Sequence, residues 1–83
     1  MYRELAKRYI KNLTPNDIKK YASSINIDLN SQEVNIIFNF LLLNYEELLN
    51  KNDKVLLKLK DKLSPNLYNT VISLYEENKN KYL

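Results

Sequence analysis

Apolar residues recur at three- and four-residue spacing along almost the whole chain, and polar breaks divide that pattern into helical segments. The first is expected over Tyr2 to Asn12, with Leu5 and Tyr9 one turn apart and facing inward, and Arg3, Lys7, Arg8 and Lys11 turned to water. At Leu13-Thr14-Pro15-Asn16-Asp17-Ile18 a new helix begins. Thr14 is placed to accept from the Asp17 N–H, Pro15 suits the first helical position, and Asp17 faces the positive helix end. Leu13 and Ile18 would form the apolar staple across this start. The second helix then runs to about Ser24, with Ile18, Tyr21 and Ala22 on its inner face.

Ile25-Asn26-Ile27-Asp28-Leu29 alternates apolar and polar residues, which predicts an extended connector whose apolar side chains plug into the core. Asn30 caps the next helix, with Glu33 in the box position three residues on and a second staple between Leu29 and Val34. This third helix, about Ser31 to Leu49, holds Val34, Ile37, Phe38, Leu41, Leu42, Tyr45, Leu48 and Leu49 at core spacing. Ile36, Phe40 and Leu43 add a second apolar row. A helix apolar nearly all round is either wrapped by its neighbours or shows one face to a partner.

After the break at Asn50-Lys51-Asn52, a shorter helix is expected over Asp53 to Lys62, with Val55, Leu56 and Leu59 inward and Lys54, Lys58, Lys60 and Lys62 outward. Leu63-Ser64-Pro65-Asn66 repeats the helix start of residues 13–16. The last helix should run from Pro65 to about Lys79, with Tyr68, Val71, Ile72 and Tyr75 inward and Tyr82 closing its end. The chain has no glycine and two prolines, so the residues that build hairpin turns are missing. The expectation is one all-α domain over residues 1–83, a compact bundle of four to five short helices around a central apolar helix at about residues 31–49.

Composition narrows the function classes. Hydrophobic residues at 45% and charged residues at 28% fit a folded domain rather than a disordered chain. Without cysteine there is no disulfide, thiolate nucleophile or zinc finger, which fits a reducing cytoplasm. The charged opening MYRELAKRYIKNL does not read as a secretory signal. The most apolar stretch, Val34 to Leu49, is interrupted by Asn and Glu and is shorter than the ~20 residues a membrane span needs. No membrane association, metal or cofactor is expected. With no histidine, no cysteine and no glycine-rich phosphate loop, the chain does not read as an enzyme. The adjacent pairs Glu46-Glu47 and Glu76-Glu77 diverge by about 100° on a helix and do not converge on one ligand.

Three binding surfaces remain. Residues 14–49 resemble in outline a helix-turn-helix DNA reader, but the second of the two helices holds Glu33, Glu46 and Glu47 and no base, so phosphate would repel it. A basic surface of Arg3, Lys7, Arg8 and Lys11, extended by Lys19 and Lys20, is the second. Its charge follows from an uneven distribution, since residues 1–20 carry six bases against Glu4 and Asp17 while residues 21–50 carry four acids and no base. The ordinary reading of such a surface is a solvated helix face, with accessory nucleic-acid binding as the functional alternative. The third is the row Ile36, Phe40 and Leu43 with Glu46 and Glu47 nearby, which suits packing against a protein partner or a second copy; its bland counterpart is burial within the domain. The function expected from the residues is therefore binding, first of all protein–protein interaction or homo-oligomerisation. On that reading Phe40→Asp would abolish the groove mode and Arg8→Glu the phosphate mode.

The run Leu13 to Ala22, then Ile25-Asn26-Ile27-Asp28-Leu29 with Glu33, and the late Ser64-Pro65 helix start, resemble the YqfT-like family of small bacterial proteins. The resemblance spans most of the chain. It implies a helical fold and brings no catalytic residue, cofactor or partner with it, because the shared positions are helix caps and core residues.

Overall fold

The computed structural model describes residues 2–82, with side chains placed for residues 4–77 and 79. Along the chain come α1 (Tyr2–Lys11), α2 (Pro15–Ser24), α3 (Ser31–Leu49), a 3-10 segment (Asp53–Leu59) and α4 (Pro65–Tyr82). Among the described residues there is no strand, and the protein is an all-α bundle.

Both predicted caps form. The Thr14 hydroxyl accepts from the Asp17 N–H at 3.2 Å while the Asp17 carboxylate accepts from the Thr14 N–H at 2.9 Å. Asn30 and Glu33 repeat the exchange at 2.8 and 2.9 Å. Each box satisfies backbone donors that the first turn of a helix otherwise leaves open, and each places a carboxylate against the positive helix end.

The helix ends are less expected. At the end of α2 the Ile27 N–H reaches the Ala22 carbonyl and the Asn26 N–H the Ser23 carbonyl, a Schellman closure with Asn26 at φ 63°. At the end of α3, Asn52 bonds back to Glu47 and Lys51 to Leu48 in the same pattern, with Lys51 at φ 62°. Glycine ordinarily takes this left-handed position. Asn26 tolerates it, whereas Lys51 holds it against the clash of its own Cβ.

Two connected clusters make the core. Phe40 and Leu48 of α3, Val55, Leu56 and Leu59 of the 3-10 segment, and Leu63 form the larger one, with Tyr68, Val71, Ile72 and Tyr75 of α4 packed against it. Ala22, Leu29 and Val34 form the smaller one under α2, joined by Ile18 and Ile27. Ile37 and Leu67 touch both clusters and make them continuous. α3 is thus the central helix: α1, α2 and the 3-10 segment all pack on it. The radius of gyration of 12.1 Å is that of a compactly folded chain of this length.

Several expected positions are corrected. Leu5 and Tyr9 do not face inward but stand 58% and 66% exposed, because Ala6 and Ile10 of α1, with Leu13 just after it, are the half-buried apolar residues. The apolar stripe of α1 is wider than the surface covering it. Tyr21 is likewise half exposed, since Ala22 and Ile18 already fill the contact beneath α2. Leu42 lies on the outer edge of α3 rather than in the core, and Ile25 is also exposed. In the connector only Leu29 is buried, with Ile27 partly so, because the Schellman turn at Asn26 redirects the chain before it becomes extended. Residues 53–59 wind as a 3-10 helix, which stacks Asp53, Leu56 and Leu59 at three-residue spacing. Seven residues is long for this geometry, and burial of Val55, Leu56 and Leu59 holds it. α4 continues three residues beyond the expected Lys79, to Tyr82. The expected roles of the Arg3 and Tyr82 side chains lie outside the described residues.

Candidate functional site

The candidate site is a groove of about 700 Å³ between α3 and the 3-10 segment. Helical spacing brings Ile36, Phe40, Leu43 and Glu47 to one side of α3, and all four line it. Gln32, Asn35 and Asn39 make the polar lip beside them. Lys58, Leu59 and Lys62 supply the opposite wall.

The apolar row foreseen on α3 divides by depth. Phe40 is buried in the larger cluster, Ile36 is half-buried against it, and Leu43 at the rim is 81% exposed. The row is therefore neither wholly internal nor wholly offered to solvent. Phe40→Asp would place a carboxylate in the core and unfold the domain before testing the groove, so Leu43 is the position that probes it. Glu46 and Glu47 part company as well: Glu47 is half-buried in the groove, while Glu46 points to the exposed side of α3 and does not line it.

One polar residue of the groove is buried. Asn44 is 6% exposed, its amide donates to the Phe40 carbonyl one turn back at 2.9 Å, and its Oδ1 accepts from Lys58 Nζ at 3.0 Å. A buried amide oxygen without a donor would be costly, so this bond holds the lysine ammonium at the groove wall. Among the described residues neither Glu47, Lys58 nor Lys62 lies within ion-pair distance of an opposite charge. The groove thus joins an apolar floor to a fixed cation, with further unpaired charge of both signs on its two sides.

The lysines and Asn44 were absent from the sequence reading of this surface. The four-residue spacing of Lys58 and Lys62 is a signal of a shared face, yet nothing local says that this face lies beside Phe40. Tertiary packing alone makes that neighbourhood.

The basic surface is only partly assembled. Arg8, Lys11, Lys19 and Lys20 are exposed and Lys7 is half-buried. A small hollow of about 210 Å³ lies between the first turns of α2 and α3, lined by Lys19 among others, but the helix ends there are already occupied by the Asp17 and Glu33 boxes.

At the far end of the bundle α4 is tied back. The Tyr75 hydroxyl donates to the Leu48 carbonyl at 3.0 Å, and Lys79 pairs with Asp53 at 3.1 Å, with Glu76 at 3.8 Å behind it. The hydrogen bond to Lys79 draws the Asp53 carboxyl below its ordinary range, and the same bond raises the Lys79 ammonium. Burial, reinforced by the nearby Asp53 and Glu76 charges, pushes Tyr75 up to about 12. The hydroxyl's single proton is given to Leu48, so Asp53 acts on Tyr75 through its charge; among the described residues the Asp53 Oδ1 is buried without a hydrogen-bond partner. This group fastens the fold. Among the described residues no cluster of three potential metal ligands occurs, and no helix is long and apolar enough to cross a membrane.

No known protein family, curated protein or solved structure matches the chain.

Proposed function

We propose that this protein is a binding module, not an enzyme, and that it receives a helical segment of a protein partner in the groove between α3 and the 3-10 segment. The observation that carries this reading is Leu43, a leucine 81% exposed at the rim of a groove floored by Ile36 and Phe40. An apolar anchor beside an apolar hollow is the arrangement that helix-in-groove recognition uses, and the rim of Lys58, Lys62 and Glu47 would set orientation. Scattered exposed leucines need no explanation, but one standing over a groove that reaches a buried phenylalanine gives a partner helix both a ridge and a recess.

A photo-crosslinking amino acid placed at position 43, with the exposed Asn69 of α4 as the control position, tests this in living cells. The expected product is an adduct specific to position 43, its peptide identified by mass spectrometry and the binding reproduced with purified components. Equal adducts from both positions, or none, would refute it.

A second reading rests on Tyr9, whose unexpected exposure sets an aromatic ring on the same helix as the exposed Arg8 and Lys11. Rings beside cations suit single-stranded nucleic acid. Such binding would weaken steeply with salt and be abolished by Arg8→Glu, whereas groove binding would respond little to salt.

A further inference from the structure

We infer that the occupant of the groove is a second copy of this chain, related to the first by a two-fold axis running along the groove; this rests on the groove reading above. The argument begins with charge. Glu47 stands on the α3 side, and Lys58 and Lys62 on the 3-10 side. None has an opposite charge within ion-pair distance among the described residues. A uniformly acidic helix laid in the groove would meet Glu47, and a uniformly basic one would meet both lysines. The matching surface must carry the same two signs with the sides exchanged.

A two-fold axis lying in the contact plane along the groove makes that exchange, because it carries each wall over the opposite wall of the other copy. Glu47 then faces the lysine wall of the second protomer, and the reverse contact forms by symmetry. The apolar parts follow the same operation. Leu43 projects from the α3 side, so the exchange carries it across the recess to the lysine side of the other protomer, where it closes over the apolar floor near Phe40. One operation thus answers both the exposed leucine and the unpaired charges.

Asn44 adds preorganisation. Because its buried amide already holds Lys58, the ammonium at the wall loses less freedom on meeting a carboxylate than a free lysine would. The size of the contact sets its strength. From Gln32 to Glu47 the groove follows α3 over sixteen residues, fifteen rises of 1.5 Å or roughly 22 Å. At about the 10 Å width of one helix that strip covers roughly 220 Å², well short of the roughly 800 Å² per partner of a standard stable interface, so a weak dimer in the upper micromolar range is expected.

Sedimentation equilibrium of the full chain over about 10–500 µM spans the expected range. The wild type should pass from monomer to dimer mass, and Leu43→Gln should weaken the association at least about tenfold with an unchanged helical spectrum. Glu47→Lys and Lys62→Glu should each weaken it, while the two combined in one chain recover part of the loss, since symmetry re-forms the pair between positions 47 and 62 with its signs reversed and leaves only Lys58 opposite a like charge. A wild type that stays monomeric throughout overturns the inference, as does a dimer indifferent to Leu43→Gln or a double variant no better than the singles. The crosslink at position 43 separates this failure from that of the groove reading. A self-adduct supports both, an adduct with another protein sustains the groove alone, and no adduct refutes both.

Discussion

Leu59 and Leu43 place one residue type in opposite surroundings, 1% and 81% exposed, and truncating each to alanine measures how the bundle is held. Leu59 sits with Phe40, Leu48, Val55, Leu56 and Leu63 in the larger cluster. Leu→Ala at well-packed sites costs roughly 2.7–5 kcal/mol, rising with the volume of the void that remains. Here α3 is held by α1 and α2, and α4 by Tyr75 and Lys79, so the walls cannot close over the gap. That places Leu59→Ala at about 3–4 kcal/mol. A domain of this length has about 4–12 kcal/mol in total, so the loss removes about a quarter or more of it. With a urea dependence of about 1–1.5 kcal/mol per molar, the midpoint should fall by about 2–4 M. Leu43→Ala should stay within about 0.5 kcal/mol, since no core contact is lost. Urea melts of dilute protein followed by far-ultraviolet circular dichroism decide the matter, and dilution keeps self-association from contributing. The reasoning is refuted if Leu43→Ala costs as much as Leu59→Ala, or if Leu59→Ala costs less than about 1.5 kcal/mol.

Lys58→Met keeps the aliphatic stem but leaves the Asn44 oxygen buried without its donor, and should cost about 1–3 kcal/mol in the same urea melts, with Lys58→Arg recovering part of it. Lys51→Gly should stabilise by about 0.5–1 kcal/mol, because relief of the left-handed strain at φ 62° exceeds the entropy glycine adds to the unfolded chain; a loss of stability would show that the turn is unstrained. In an absorbance titration Tyr75 should ionise toward about 12. Because its folded value lies above the ordinary 10, its contribution is complete below about pH 10 and is lost as pH rises toward about 12, and Tyr75→Phe should remove that component of the decline. The same substitution deletes the bond to Leu48 and should cost about 1 kcal/mol at neutral pH, which thermal or urea melts will register.

The sequence by itself determined what is written within a few residues. Thr14 with Asp17 and Asn30 with Glu33 began α2 and α3 where the caps said, because a cap is an exchange between groups three positions apart. The continuous apolar pattern of residues 31–49 marked α3 as central for an equally local reason: a helix apolar on nearly every side needs neighbours on nearly every side. The same pattern could not say which of Leu5, Ile10 and Leu13 would be covered, since an amphipathic stripe tells the direction of the core and not the width of what packs on it. It could not show the turns at Asn26 and Lys51, because without glycine the left-handed positions bear no mark in the sequence. Nor could it choose 3-10 winding for residues 53–59, where short-range preference is weak and the burial of Val55, Leu56 and Leu59 decides. The groove belongs wholly to the tertiary structure. Ile36, Phe40, Leu43 and Glu47 share a helix face by periodicity, but Lys58 and Lys62 reach that face only because the chain reverses after Asn50 and Asn44 binds a lysine fourteen residues away. Side-chain periodicity orders residues around one axis; the distance between two axes is set by what packs between them.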